Sequence, residues 1–139
     1  MMLRDPFVDA KFEPDLMWFI GVFNVYDREE TLGEELEVFN PDNQFDREIL
    51  INRYSLKLDC LSYRHKFLLF EFLAEKLRGN SYDFQILFNL DDVYDSSWPR
   101  AEWYALENSR GFFEDIYRLA SEAWKADLHR AGLEDQSTW

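Results

Sequence analysis

Two stretches of the chain carry residue types whose spacing could do chemistry. The first is Asp91-Asp92-Val93-Tyr94-Asp95, the pattern D-D-x-x-D. On a helix Asp91 and Asp95 would share a face at i,i+4, where like charges repel unless a cation such as Mg²⁺ bridges them. A magnesium–diphosphate site also needs a second acidic motif, basic residues for the phosphates and a large helical cavity. The second motif, Asn/Asp-Asp-x-x-Ser/Thr-x-x-x-Glu, has no match in the sequence. The carboxylates also follow a segment that reads as a strand, which predicts a loop there. The expectation is therefore no metal and no cofactor, but an acidic turn in which Tyr94 and Trp98 act as aromatic anchors. Asp91, Asp92, Tyr94, Asp95 and Trp98 then form a candidate partner-binding patch.

The second stretch holds Cys60 and His65, the one nucleophile–base pair close in sequence. Five residues apart, they would point about 140° apart on a helix and to opposite faces of a strand. A thiol enzyme is disfavoured. With one cysteine and two histidines, no zinc constellation can be assembled. The glycines never fall as G-x-G or G-x-x-x-x-G-K, and G-x-S-x-G is absent. No catalytic residue is expected. A small carboxylate-dependent enzyme survives only as an alternative, because 28 acidic residues could always supply a pair.

Charge is the strongest signal. The net charge of −13 is divided unevenly: −8 over residues 1–44, +2 over 45–80 and −7 over 81–139. Segment 27–37, DREETLGEELE, holds six acids and one base. It adds Glu29, Glu30, Glu34, Glu35 and Glu37 to the candidate partner-binding residues. An acidic surface repels nucleic acid and anionic membrane and attracts basic proteins. The expected partner is a basic protein, with no direct nucleic-acid or membrane contact.

These residues must be positioned by a fold. A chain of 139 residues, 47% hydrophobic and 18% aromatic, is not disordered. It is expected to form one globular domain over 1–139, with 133–139 loose. The single cysteine, a charged N-terminus and no apolar run beyond Leu16–Phe23 predict a soluble, cytoplasmic protein. LMWFIGVFNVY at 16–26 reads as a buried strand, with Glu35–Asn40 pairing to it. Residues 49–58 alternate like a further strand, although Leu50, Tyr54, Leu58 and Leu61 equally suit a helical stripe. DFQILFNL at 83–90 alternates apolar and polar like a half-buried strand. Ser62 to Arg78 predicts a helix capped by Ser62 and ended by Gly79, with Tyr63, Phe67, Phe70, Ala74 and Leu77 as its stripe. Pro99 opens a helix to Glu107. A last helix runs from Phe112 to Arg130, with a Glu114–Arg118 pair. The fold class expected is α+β, a mainly antiparallel sheet packed against about three helices. The alternative is an all-α bundle.

Small size, acidity and the absence of a catalytic motif, with the segments MWFIGVF (17–23) and AEWYALENSRGFFEDIY (101–117), resemble the immunity proteins of bacterial toxin systems of the contact-dependent inhibition type. The resemblance is one of overall character across the chain and transfers no individual residue. It implies a non-enzymatic cytoplasmic inhibitor that neutralises a cognate, basic, nuclease-like toxin. An acidic regulator, or a nucleic-acid mimic docking on a DNA-binding protein, is the other reading of the same charge.

Overall fold

The computed structural model describes residues 2–89 and 97–139. Among them there is no β-strand; the extended pairing present is an isolated antiparallel bridge between Arg4 and Lys11. This overturns the expected antiparallel sheet, and the architecture is the all-α alternative.

Each segment read as a strand is a short helix, and its buried positions show why. In 16–26, helix α1 (Met17–Ile20) runs into a 3₁₀ turn (Gly21–Phe23). The Asp15 carboxylate accepts the Met17 N–H at 2.9 Å and starts the turn. Leu16, Phe19, Ile20 and Phe23 are all buried, at the i, i+3, i+4, i+7 spacing of a helical face. The segment around Glu35 is helix α2 (Glu34–Leu36), not a pairing strand. Residues 49–58 belong to helix α3 (Gln44–Leu50), capped by the Asn43 side chain, and to the π-helical turn Ile51–Ser55 that continues it. The Ser55 hydroxyl, fully buried there, donates to the Phe19 carbonyl at 2.7 Å. That carbonyl lies at the end of a helix too short to pair it internally. The alternating run at 83–90 contains the 3₁₀ helix Phe84–Phe88. Phe84, Leu87 and Phe88 are buried, whereas Ile86, which alternation placed beside Phe84, is 52% exposed. The spacing is three, not two.

The longer helices follow their caps. Helix α4 (Tyr63–Leu77) starts at Ser62, and His65 completes a reciprocal capping box with it. Gly79 takes the left-handed conformation (φ 75°) expected after the helix end. The buried face of α4 is centred on His65, Leu69, Phe70 and Leu73, rotated from the stripe read in the sequence. The last helix is two: α5 (Ser109–Ala123) and α6 (Lys125–Gly132), bent at Trp124. The Trp124 indole N–H donates to the Leu56 carbonyl at 3.3 Å. Asn108 caps α5 through the Gly111 N–H at 2.9 Å. A Cβ at Gly111 would sit 2.4 Å from the Asn108 side chain, so this cap requires glycine. Pro99 is followed by the 3₁₀ helix Ala101–Ala105 rather than an α-helix.

α4 packs on α5 and α6, and α5 packs on α3. Arg47, buried on α3, bonds the Pro41 carbonyl at 3.0 Å and pairs with Asp115 of α5 at 3.2 Å. The expected Glu114–Arg118 pair does not form. Arg118 binds Glu48 at 2.8 Å and Asp115 at 3.3 Å, while Glu114 faces Arg110 at 3.6 Å. The segment after α6 carries a 3₁₀ turn, Gln136–Thr138, and lays Trp139 edge-on to Phe67, 5.8 Å away. No helix among the described residues is long and apolar enough to cross a membrane.

The centre of the core is aromatic. Trp103 lies 4.9 Å from Phe23, 5.7 Å from Phe88, 6.1 Å from Trp98 and 5.6 Å from Phe112, between ring centroids. The Trp98 indole N–H donates to the Phe88 carbonyl at 2.8 Å, whereas the buried Trp103 indole N–H has no partner among the described residues. Trp98→Phe and Trp103→Phe remove the same ring volume, but only the first breaks a hydrogen bond. Chemical denaturation should show Trp98→Phe costing more than Trp103→Phe by about 1 kcal/mol, the net worth of one such bond.

The Glu134 carboxylate receives Arg64 at 2.8 Å, the Tyr63 hydroxyl and the Trp139 indole N–H at 3.2 Å. The Arg64 hydrogen bond, then that of Tyr63, holds its acid below the ordinary Glu value of 4.5. A lowered carboxyl stabilises the fold above the unfolded value, and that share is lost as pH falls through the folded one. In acid unfolding, Glu134→Gln should therefore flatten the loss of stability below pH 4.5 relative to the parent.

Candidate functional site

The structure divides the sequence-derived candidates into three groups. Asp91, Asp92, Tyr94 and Asp95 lie outside the described residues. Trp98 is 6% exposed and belongs to the core, which corrects its assignment as a surface anchor. An indole flanked by Ser97 and Pro99 looks like a loop residue in sequence, but it is drawn inside by its bond to Phe88 and its stacking on Trp103. The third group, Glu29, Glu30, Glu34, Glu35 and Glu37, is exposed throughout.

These five glutamates share one element. The π-helical turn Glu29–Gly33 passes directly into α2, giving a continuous helical ledge. Its inner side is Val25, Gly33 and Leu36, all buried. Its backbone is pinned at several points. The Arg28 carbonyl accepts the N–H groups of Thr31 (3.2 Å) and Gly33 (3.0 Å) and the Thr31 hydroxyl (3.2 Å). Asp27, just before it, adopts a left-handed backbone (φ 63°), which Asp tolerates better than most side chains. The Asn24 side chain accepts the N–H groups of Tyr26 and Ser97, and the Val25 N–H donates to the Ser97 carbonyl at 2.8 Å. At the far end Arg100 donates to the Glu37 carbonyl at 2.9 Å.

The outer side carries uncompensated charge. Among the described residues, the side chains of Glu29, Glu30, Glu34 and Glu37 make no ion pair or hydrogen bond. Glu35 alone is engaged, accepting the Tyr54 hydroxyl. Clustered like charges on one rigid element repel one another and are relieved by a cationic partner. The exposed side chains of Tyr26 and Val38 flank the ledge and offer apolar contact at its edges.

Next to the ledge is a cleft of about 630 Å³, within the range of ligand pockets. Phe7, Met17, Trp18, Val22 and Leu58 form its apolar walls, with Asp15, Arg28 and Cys60 at its rim. The strand reading of 16–26, which buried the whole segment, hid this feature. Read as a helix, Trp18 and Val22 fall at i,i+4, about 100° around the helix from the buried Phe19 and Phe23, a second stripe already visible in the sequence.

His65 spends its ring nitrogens on structural contacts. His65 is buried, its Nδ1 accepting the Ser62 N–H at 3.1 Å and its Nε2 placed 2.6 Å from the Arg4 carbonyl, to which it donates. Both ring nitrogens are committed to structure, and Cys60 is exposed elsewhere. Among the described residues, no three metal-ligating side chains converge. Compared with protein-family models, with curated proteins and with solved structures, the chain matches none.

The Tyr54 hydroxyl is pushed up to about 12, first by burial and then by its hydrogen bond to the Glu35 carboxylate. A raised tyrosine stabilises the fold below its ordinary value of 10.0, and that contribution disappears as pH rises through the folded value. In an ultraviolet difference titration against Tyr54→Phe, Tyr54 should ionise near 12. Glu35→Gln should bring it down part of the way, leaving the share due to burial.

Proposed function

We propose that the protein is a non-enzymatic binding protein of the immunity type, acting in the cytoplasm, that captures and neutralises a cognate basic toxin domain. The observation carrying this reading is the ledge. Glu29, Glu30, Glu34 and Glu37 stand unpaired in solvent on a helical element whose backbone is fixed from behind. With the backbone already fixed, a partner has only the side chains left to order, so less of the charge attraction is offset by lost freedom. A basic nuclease-like domain presents the complementary surface, the one with which it holds its own anionic substrate. An inhibitor seated there blocks that substrate without performing any chemistry.

Rim carboxylates act mainly on the rate of encounter, which electrostatic steering raises to about 10⁸–10⁹ M⁻¹s⁻¹ at low salt. The triple variant Glu29→Gln, Glu30→Gln, Glu34→Gln should therefore bind the basic domain encoded by the neighbouring gene with a slower on-rate. It should also show a shallower salt dependence, with the off-rate changed less. Surface plasmon resonance over a series of salt concentrations measures all three. Absence of a complex at low salt, or an unchanged on-rate in the triple variant, would overturn the proposal.

A further inference from the structure

Two neighbouring concavities meet at Arg28. One is the apolar cleft of Phe7, Met17, Trp18, Val22 and Leu58. The other is an open recess of about 390 Å³ formed by Asp27, Arg28, Glu29, Glu30 and Thr31 at the start of the ledge. Arg28 lines both, and its Nη2 is tied back to the Asn24 carbonyl at 2.5 Å. Around the joined rim, Asp15, Asp27, Glu29 and Glu30 set four carboxylates against the single guanidinium. The combined site is therefore apolar at its floor and anionic at its edge. Phe7 and Trp18 stack at 5.9 Å with 16° between their planes, yet Phe7 remains 73% exposed. An aromatic ring this open, held flat against a half-buried indole, is a prepared contact face for a side chain inserted beside it. The same ring faces attract cations.

We infer that this double site docks a protein segment in which an aromatic or aliphatic side chain is flanked by Lys or Arg. The apolar side chain enters the cleft between Phe7 and Leu58, and its basic neighbours reach Asp27, Glu29 and Glu30 in the recess. Charge complementarity selects this occupant. A neutral apolar ligand leaves the carboxylates unanswered, and an anionic one meets a net negative rim. The inference rests on the ledge being a surface for a basic partner and adds to it a specific anchor: the aromatic contact assigned in the sequence to Trp98 is supplied by Phe7 and Trp18.

Cys60 makes the site testable, because it is the chain's one cysteine, is exposed, and lines the cleft. Its alkylation rate by iodoacetamide, a neutral reagent, reports whether the cleft is filled. An end-capped Lys-Lys-Phe-Lys-Lys peptide should slow alkylation several-fold at saturation, and added salt should reverse this. Lys-Lys-Gly-Lys-Lys and Glu-Glu-Phe-Glu-Glu should not protect. Phe7→Ala, at a position too exposed to threaten the fold, should weaken the protecting peptide about threefold to tenfold, the range of one aromatic contact. Equal protection by the glycine peptide would overturn the cleft as an anchor while leaving charge attraction by the ledge intact. No protection by the phenylalanine peptide, or no effect of Phe7→Ala, would overturn the inference as well, and toxin binding by the ledge is decided separately by its own on-rate measurement.

Discussion

Four separate segments meet on one indole, one of them eighty residues away in sequence. Trp103 gathers Phe23 from the 3₁₀ turn that follows α1, Phe88 from the 3₁₀ helix Phe84–Phe88, Trp98 from the segment before Pro99 and Phe112 from α5. Most of the segments it gathers are too short to be helical alone, since an isolated helix of fewer than about 12–15 residues is marginal in water. They keep their shape because their aromatic side chains are committed to a common centre. The ledge depends on the same commitment. With Trp98 held inside, Ser97 comes to lie against Asn24 and Val25, and that contact fixes the point from which the ledge departs.

Around this centre the polar interactions work as fasteners between elements. Arg47 joins α3 to α5, Ser55 closes the open carbonyl at the end of α1, and His65 binds the N-terminal segment to the start of α4. Each is buried, and each has a partner for the polar atom it brings inside, as burial requires. Trp103 differs from them, with a buried indole N–H that has no hydrogen-bond partner among the described residues. Packing against four aromatic neighbours offsets that unmade bond.

The parts of the fold legible in the sequence were those where local chemistry and period agree. Ser62, Gly79 and the 3.6-residue stripe of α5 marked the long helices because caps and amphipathic faces leave a local trace. The short elements left no such trace. In 16–26 the β-branched and aromatic composition outweighed the spacing of Leu16, Phe19, Ile20 and Phe23, although the spacing carried the correct answer. In Phe84–Phe88 a three-residue period over five residues is nearly indistinguishable from alternation. The acidic segment at 27–37 was legible as charge but not as a helix, because Val25, Gly33 and Leu36 are too few to display a face. Trp98 could not be placed from sequence at all. Its burial is decided by Phe88 and Trp103, whose own positions are set by the tertiary fold and not by the residues flanking Trp98.

The ledge separates its duties by side. Val25, Gly33 and Leu36 hold it to the body, and its backbone carbonyls and amides complete the attachment. Of the outward carboxylates only Glu35 is bound to anything else in the described chain. Mutational drift is therefore cheap on one face and expensive on the other. A lineage carrying this fold can exchange the outer residues one at a time without passing through an unfolded ancestor.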